Sequence, residues 1–212
     1  DFGRAAFGTV KLNLFGDKKN DSVKISFGES IKNGRLDKNP KGNVISESVN
    51  LKLKPGWYDY EVIIPSHYYT RPERKIYMPE YIKEVLPFRY VEIENYDSDL
   101  IEKSSIKQII VNYKFDDHAT YFESDNKILN DLWQLTKHSV KATSFMGIYV
   151  DGNRERFPRE GDSYVNQKTH YAVERGFSIA RYTHEFQILY SSQWTDYILQ
   201  VLLIAWEDYM HT

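Results

Sequence analysis

The sequence has 212 residues, 28 Lys plus Arg against 30 Asp plus Glu, a formal net charge of −2 and no cysteine. This length allows one large domain or two of modest size. The near-neutral charge gives no support for nucleic acid or an anionic membrane as a partner, and the lack of cysteine excludes disulfides and thiolate metal sites.

The first half of the chain predicts β-strands. Apolar and polar residues alternate in six segments, which are residues 9–15, 22–27, 45–53, 58–64, 88–93 and 106–115. Turn-forming Gly, Pro, Asn and Asp residues separate these segments. Alternation gives each strand one dry and one wet face, a pattern typical of an antiparallel β-sandwich.

Helical spacing begins after residue 116. Ser124 or Asp125 is predicted to cap a helix that extends to Val140. Its apolar residues recur at helical spacing, so Trp133 is expected in the core. Trp206, on a later apolar helix, is expected there as well.

Three further helices are predicted. The first begins at residues 161–163, with Asp162 or Ser163 as its cap, and Gly176 ends it. The others cover residues 177–190 and 195–210. The longest apolar run in the last helix is too short to span a bilayer.

These elements predict a mixed fold of an antiparallel β-sandwich over residues 1–115 and the first helices of an α domain over residues 116–212. A few helices with such apolar faces cannot bury them alone. We therefore expect both ends to be cuts in a longer protein, and we expect association, including oligomers, through exposed helix faces.

Residues 151–162 concentrate charge in one loop-like segment, with four carboxylates and three arginines. Gly152, Asn153 and Pro158 make a continuous helix through this segment unfavourable. Carboxylates held by guanidinium groups at the edge of a core suit acid and base chemistry on sugars. The alternative is a solvated charged loop.

The order of several segments resembles the bacterial α-L-rhamnosidases. Three of them resemble the sandwich domain that precedes the catalytic barrel: Asp-Phe-Gly-Arg at 1–4, Phe-Gly-Glu at 27–29 and Pro-Phe-Arg-Tyr-Val-Glu-Ile at 87–93. Phe-Glu-Ser-Asp at 122–125, followed by Leu-Asn-Asp-Leu-Trp at 129–133, is similar to the entry into the family's (α/α)6 barrel. Residues 151–162 are similar to its acidic signature. The resemblance therefore implies a truncated (α/α)6, or six-hairpin, barrel after the sandwich.

The resemblance implies hydrolysis of terminal α-linked L-rhamnose with inversion, without an organic cofactor. Glu155 matches the family's general acid. Asp151 and Asp162 match carboxylates that hold the sugar hydroxyls and stabilise the transition state. Arg154 and Arg156 match basic residues around the acid.

Two departures accompany this resemblance. The interval between Asp151 and Arg154 is one residue shorter than usual, and Arg159-Glu160 replaces the usual Trp before Gly-Asp. The family's general base lies later in the barrel, which places it beyond Thr212. We therefore expect this segment to hold half of the catalytic machinery and to be inactive alone.

Trp194, at a predicted connection between helices, is a candidate platform for stacking on a sugar. No catalytic metal is expected, because the histidines lack partners at metal-ligand spacing. The leading hypothesis is an α-L-rhamnosidase acting on rhamnosides. The alternatives are another (α/α)6 glycosidase with a different sugar preference, and a non-catalytic carbohydrate-binding or scaffolding module.

Overall fold

A computed structural model describes residues 1–65, 74–192 and 194–212. These residues form two compact units. The first comprises residues 1–65 and 78–111, and the second comprises residues 74–77 and 112–212 without residue 193. The predicted domain division into residues 1–115 and 116–212 stays a prediction.

The first unit is built from antiparallel strands and one short helix. In chain order its elements are β1 (Ala6–Gly16), β2 (Ser22–Gly28), β3 (Ile31–Lys32), β4 (Arg35–Leu36), β5 (Ser46–Lys52), β6 (Gly56–Glu61), β7 (Leu86–Phe88), β8 (Tyr90–Glu94), α1 (Ser98–Ile101) and β9 (Ser105–Ile110).

Two sheets share the core of this unit. Strand β1 pairs with β6, β7 and β9 in one sheet, and β2 pairs with β5 and β8 in the other. Alternate residues of β1 and β2 point into a single hydrophobic cluster, which includes Leu12, Leu14, Ile25 and Phe27. Because each strand buries only one face, the alternation in the sequence predicted this arrangement correctly.

One predicted strand is two strands in the structure. Residues 88–93 were expected to be continuous, but β7 pairs with β1 and β8 pairs with β2. Arg89 lies between them, and its backbone N–H donates to Gly28 O at 3.0 Å. The chain passes from one sheet to the other at this residue, and alternation along a single segment does not reveal such a change of sheet.

The predicted strand over residues 106–115 is shorter in the structure. Strand β9 ends at Ile110. Residues 112–115 belong to the second unit, where the backbone N–H of Tyr113 donates to Ser144 O at 2.7 Å. The first part of this segment therefore forms backbone hydrogen bonds within the first unit, and the last part forms them within the second.

The second unit is mainly helical. Its elements are α2 (Lys127–Thr143), the short strands β10 (Ser144–Phe145) and β11 (Ile148–Tyr149), and then α3 (Glu160–Val173), α4 (Ser178–Leu189) and α5 (Thr195–His211). The predicted fold class, antiparallel sheets followed by the helices of a partial six-hairpin domain, is confirmed.

The predicted cap of α2 is wrong by one or two residues. Asn126 is the N-cap, and its side-chain oxygen accepts from Ile128 N at 2.9 Å. The backbone N–H of Ser124 instead donates to the side chain of Asn130 at 2.9 Å. Ser124 and Asp125 therefore precede the helix.

The predicted start of α3 is also displaced. The helix begins at Glu160, with Arg159 as an extended N-cap that makes no side-chain capping bond. Its first helical hydrogen bond runs from Ser163 N to Arg159 O at 2.8 Å. Asp162 therefore lies within the first turn, where a carboxylate interacts favourably with the helix dipole.

The core of the second unit excludes one tryptophan that the sequence placed there. Trp133 packs against the buried cluster, as expected. Trp206 on α5 is 57% exposed, so that prediction is wrong. Helix α5 packs on α3 and α4 and buries Ile204, but it has more apolar residues than these two neighbours cover. Association through the exposed helix faces stays a prediction.

None of the helices in the described part of the chain is long and apolar enough to cross a bilayer.

Candidate functional site

The acidic segment forms a closed loop between β11 and α3. The backbone N–H of Asp151 donates to Phe157 O at 3.1 Å, and Phe157 N donates to Asp151 Oδ1 at 3.1 Å. Gly152 and Arg156 adopt the left-handed region, with φ of 129° and 50°. These reversals fold the loop back on itself, so that Asp151 lies close to the start of α3.

Glu155 is held by an arginine that follows it by four residues in the same loop. Arg159 Nε donates to Glu155 Oε2 at 2.7 Å, and Arg159 Nη2 bonds the same oxygen. Both side chains are only 11% exposed. Arg154 approaches the other carboxylate oxygen at 3.5 Å, but its side chain is 51% exposed. Arg159 is therefore the main counter-charge of Glu155.

Arg156 faces the interior of the unit. Its guanidinium donates to Asn153 Oδ1 at 2.9 Å and lies 5.3 Å from the centre of the Phe145 ring. Its carbonyl accepts from Ile76 N at 2.8 Å. Arg156 is fully buried, so its side chain packs against the inner side of the loop and has no exposed surface that a ligand could contact.

The Glu155–Arg159 ion pair affects the pKa of two further carboxyl groups, those of Asp151 and Asp162. The pKa of Asp151 is raised to about 6, chiefly by desolvation, and the charges of Glu155 and Asp162 act in the same direction. The hydrogen bond from Phe157 N and the charge of Arg159 oppose this rise. The three acidic residues predicted from the sequence are therefore close enough to influence one another.

Asp162 responds to the same charges. Partial desolvation raises the pKa of its carboxyl, the charges of Arg159 and Arg154 lower it, and the charge of Glu155 raises it. Asp162 is the more exposed of the two aspartates.

Trp194 is connected to this loop through Glu160. Glu160, the fully buried first residue of α3, accepts from Ser192 N at 2.5 Å. Trp194 N in turn donates to Ser192 Oγ at 3.3 Å. Trp194 is 62% exposed, and its ring stacks on Tyr197 with 5.9 Å between ring centres. An exposed aromatic ring of this kind can serve as a platform for stacking.

A buried polar network lies beside the loop. The Tyr149 hydroxyl is 2.6 Å from His170 Nδ1, and His170 Nε2 is 2.8 Å from Glu174 Oε2. Burial lowers the pKa of His170 and raises that of Tyr149 well above its usual value. In the neutral tautomer that carries its proton on Nε2, His170 accepts from the Tyr149 hydroxyl and donates to Glu174.

Sequence reasoning missed the roles of Arg159, Glu160 and His170. The available signal was spacing, since Arg159 follows Glu155 by four residues and Glu174 follows His170 by four. Among the described residues, no group of three or more His, Asp or Glu side chains is arranged to hold a metal ion.

Comparison with known proteins points to one family. Residues 117–199 match the family described as the bacterial alpha-L-rhamnosidase 6 hairpin glycosidase domain. A search of curated proteins found no match. The relationship expected from the sequence is confirmed for the segment that carries the acidic loop.

A solved structure has a similar fold. The crystal structure of native alfa-L-rhamnosidase from Aspergillus terreus aligns with a TM-score of 0.60 at 18% sequence identity, over 89% of this chain and 20% of that chain. At this identity the similarity shows the fold alone. The chain spans about one fifth of the length of the Aspergillus structure.

Proposed function

We propose that this chain is part of a glycoside hydrolase that removes terminal α-L-rhamnose with inversion of configuration. The observation that carries the proposal is the grouping of Asp151, Glu155 and Asp162 around one buried ion pair, inside the segment that matches the rhamnosidase domain. The proposed substrates are rhamnose-capped glycans or rhamnosylated small molecules.

Inverting hydrolysis divides the work between two carboxyl groups. One is protonated and donates its proton to the leaving oxygen, and the other is ionised and activates a water on the opposite face of the sugar. We assign the donor role to Glu155. By the family resemblance, the general base lies outside residues 1–212, so we expect this chain alone to be inactive.

The remaining site residues are assigned to binding. We propose that Asp151 and Asp162 accept hydrogen bonds from sugar hydroxyls, that Arg154 contributes from the solvent side and that Trp194 stacks on the sugar. The predicted binding role of Arg156 becomes an indirect one in this proposal, because the residue is buried against Asn153 and Phe145. No organic cofactor is needed for this chemistry.

The test uses aryl α-L-rhamnosides with one good and one poor leaving group, and the protein at its natural length. A general acid matters most when the leaving group needs a proton. We therefore expect Glu155→Gln to lower kcat roughly 10²- to 10⁴-fold on the poor leaving group and much less on the good one. Glu185→Gln, on the exposed side of α4, is the matched control and is expected to behave like wild type.

Two results would refute the assignment: no turnover of rhamnosides by the wild type, or equal effects of both substitutions. The first would direct attention to another sugar, which a panel of aryl glycosides would identify. Arg159 supports that second candidate, a related (α/α)6 glycosidase, because a charged residue lies where the resemblance expects Trp. Glycan binding by residues 1–115 that is insensitive to Glu155 would instead indicate a non-catalytic carbohydrate-binding module.

A further inference from the structure

We propose that Arg159 is a positioning residue for Glu155, and that its charge balances the carboxyl groups of the acidic loop. The inference rests on the proposed function, with Glu155 as the proton donor. It assigns a role to a residue at which the sequence departs from the expected pattern.

The first argument is geometric. Arg159 bonds one oxygen of Glu155 through two guanidinium nitrogens, and both side chains are largely buried. The guanidinium also lies 5.7 Å from the centre of the Phe157 ring, which stacks edge-on against Phe186. A planar guanidinium held by such contacts loses little further freedom when it orients a carboxylate.

The second argument is electrostatic. Among the residues that the structure describes, Asp151 and Asp162 respond to the charges of this pair, and the guanidinium of Arg154 approaches Glu155. The charge of Arg159 lowers the pKa of both aspartates, whereas the charge of Glu155 raises both. Arg154 acts less strongly, since solvent screens its half-exposed side chain. Arg159 therefore balances part of the negative charge of the acidic loop.

These two roles predict two separate effects. Removing the cation should raise the pH at which the Asp162 carboxyl titrates, because the charge of Arg159 lowers the pKa of that carboxyl. Loss of the two bonds should also lower kcat roughly tenfold, with a smaller change in KM.

The experiment has two readouts. The first is kcat and KM on an aryl α-L-rhamnoside with a poor leaving group, and the second is the titration of the Asp162 carboxyl, followed by carbon-13 NMR. Arg159→Gln is expected to lower kcat and to raise the titration midpoint of Asp162. Arg159→Lys keeps the charge, so the midpoint should stay in place while kcat recovers in part. The control is Arg181→Gln, which removes an arginine paired with Asp208 at 3.1 Å outside the loop and should change neither readout.

A purely structural role for Arg159 would lower kcat without moving the Asp162 midpoint, and that result would overturn the proposal. If the wild type does not hydrolyse rhamnosides, the proposed function fails, and the NMR titration of wild type, Arg159→Gln and Arg159→Lys still decides the charge-balancing role. A higher midpoint only in Arg159→Gln supports that role, and an unchanged midpoint overturns it.

Discussion

The hydroxyl of Tyr149 lies 2.6 Å from Nδ1 of His170, in the interior of the helical unit. The opposite ring nitrogen contacts Glu174, and the ring stacks on Phe115 with 5.2 Å between centres. The contact connects β11 to α3, the two elements that hold the ends of the acidic loop. The network therefore links the strand that precedes the loop to the helix that follows it.

Removing this hydroxyl should destabilise the protein. In Tyr149→Phe, the buried Nδ1 of His170 would lose its donor, and a buried acceptor without a partner costs about 1–3 kcal/mol. Chemical denaturation at pH 7 would measure the change in the free energy of unfolding.

The control for this prediction removes an exposed hydroxyl. Tyr113 OH lies 2.7 Å from Ser178 Oγ at the surface, where water replaces a lost partner. We expect Tyr113→Phe to cost less than about 0.5 kcal/mol. Equal costs for the two substitutions would show that the Tyr149 network does not stabilise the unit.

Asp151 should make stability fall as the pH rises from about 4 to 6. Its pKa is raised from 3.8 to about 6 in the folded protein, so the folded state binds its proton more tightly than the unfolded chain does. The shift of about two units corresponds to about 3 kcal/mol at most. Asp151→Asn should therefore stabilise the protein at pH 7 relative to wild type, with little gain at pH 4, as measured by thermal unfolding at both values. A gain of the same size at both values would contradict the burial of this charge.

Glu160 should matter for the order of the segment that carries Trp194. In Glu160→Ala, Ser192 N would lose its acceptor inside the protein, at a cost of about 1–3 kcal/mol. Trp194 fluorescence should also shift towards that of a fully solvated ring. Glu160→Gln keeps an acceptor oxygen and is expected to retain most of the stability. Identical behaviour of the two variants would show that the hydrogen bond is dispensable.

The sandwich should lose one stabilising contribution in acid. Hydrogen bonds from Arg35 and Lys38, together with their charges, lower the pKa of Glu92 from 4.5 to about 2. A depressed carboxyl pKa stabilises the folded state above pH 4.5, and this contribution disappears as the pH falls towards 2. The cations are partly exposed, so we expect a contribution of about 1 kcal/mol or less. Glu92→Gln should remove it at pH 6 while matching wild type near pH 2, and an equal loss at both values would argue against the ion pairs.

The sequence was most informative where secondary structure depends on the pattern of residues close together along the chain. Alternation predicted β1, β2 and β5 closely, and helical spacing predicted α4 and α5. The sequence was less informative where the chain passes from one sheet to the other. The separation of β7 from β8 at Arg89 depends on a second sheet that the local pattern does not describe.

The same division holds for the candidate site. The order of residues alone puts Asp151, Glu155 and Asp162 into a short segment after an apolar stretch, and the order of motifs indicated the family. The pairing of Arg159 with Glu155 and the burial of Arg156 can be seen only in the folded protein. The reason is that the left-handed backbone at Gly152 and Arg156 sets the direction of each side chain, and the surrounding core, through burial, sets which charge each side chain meets.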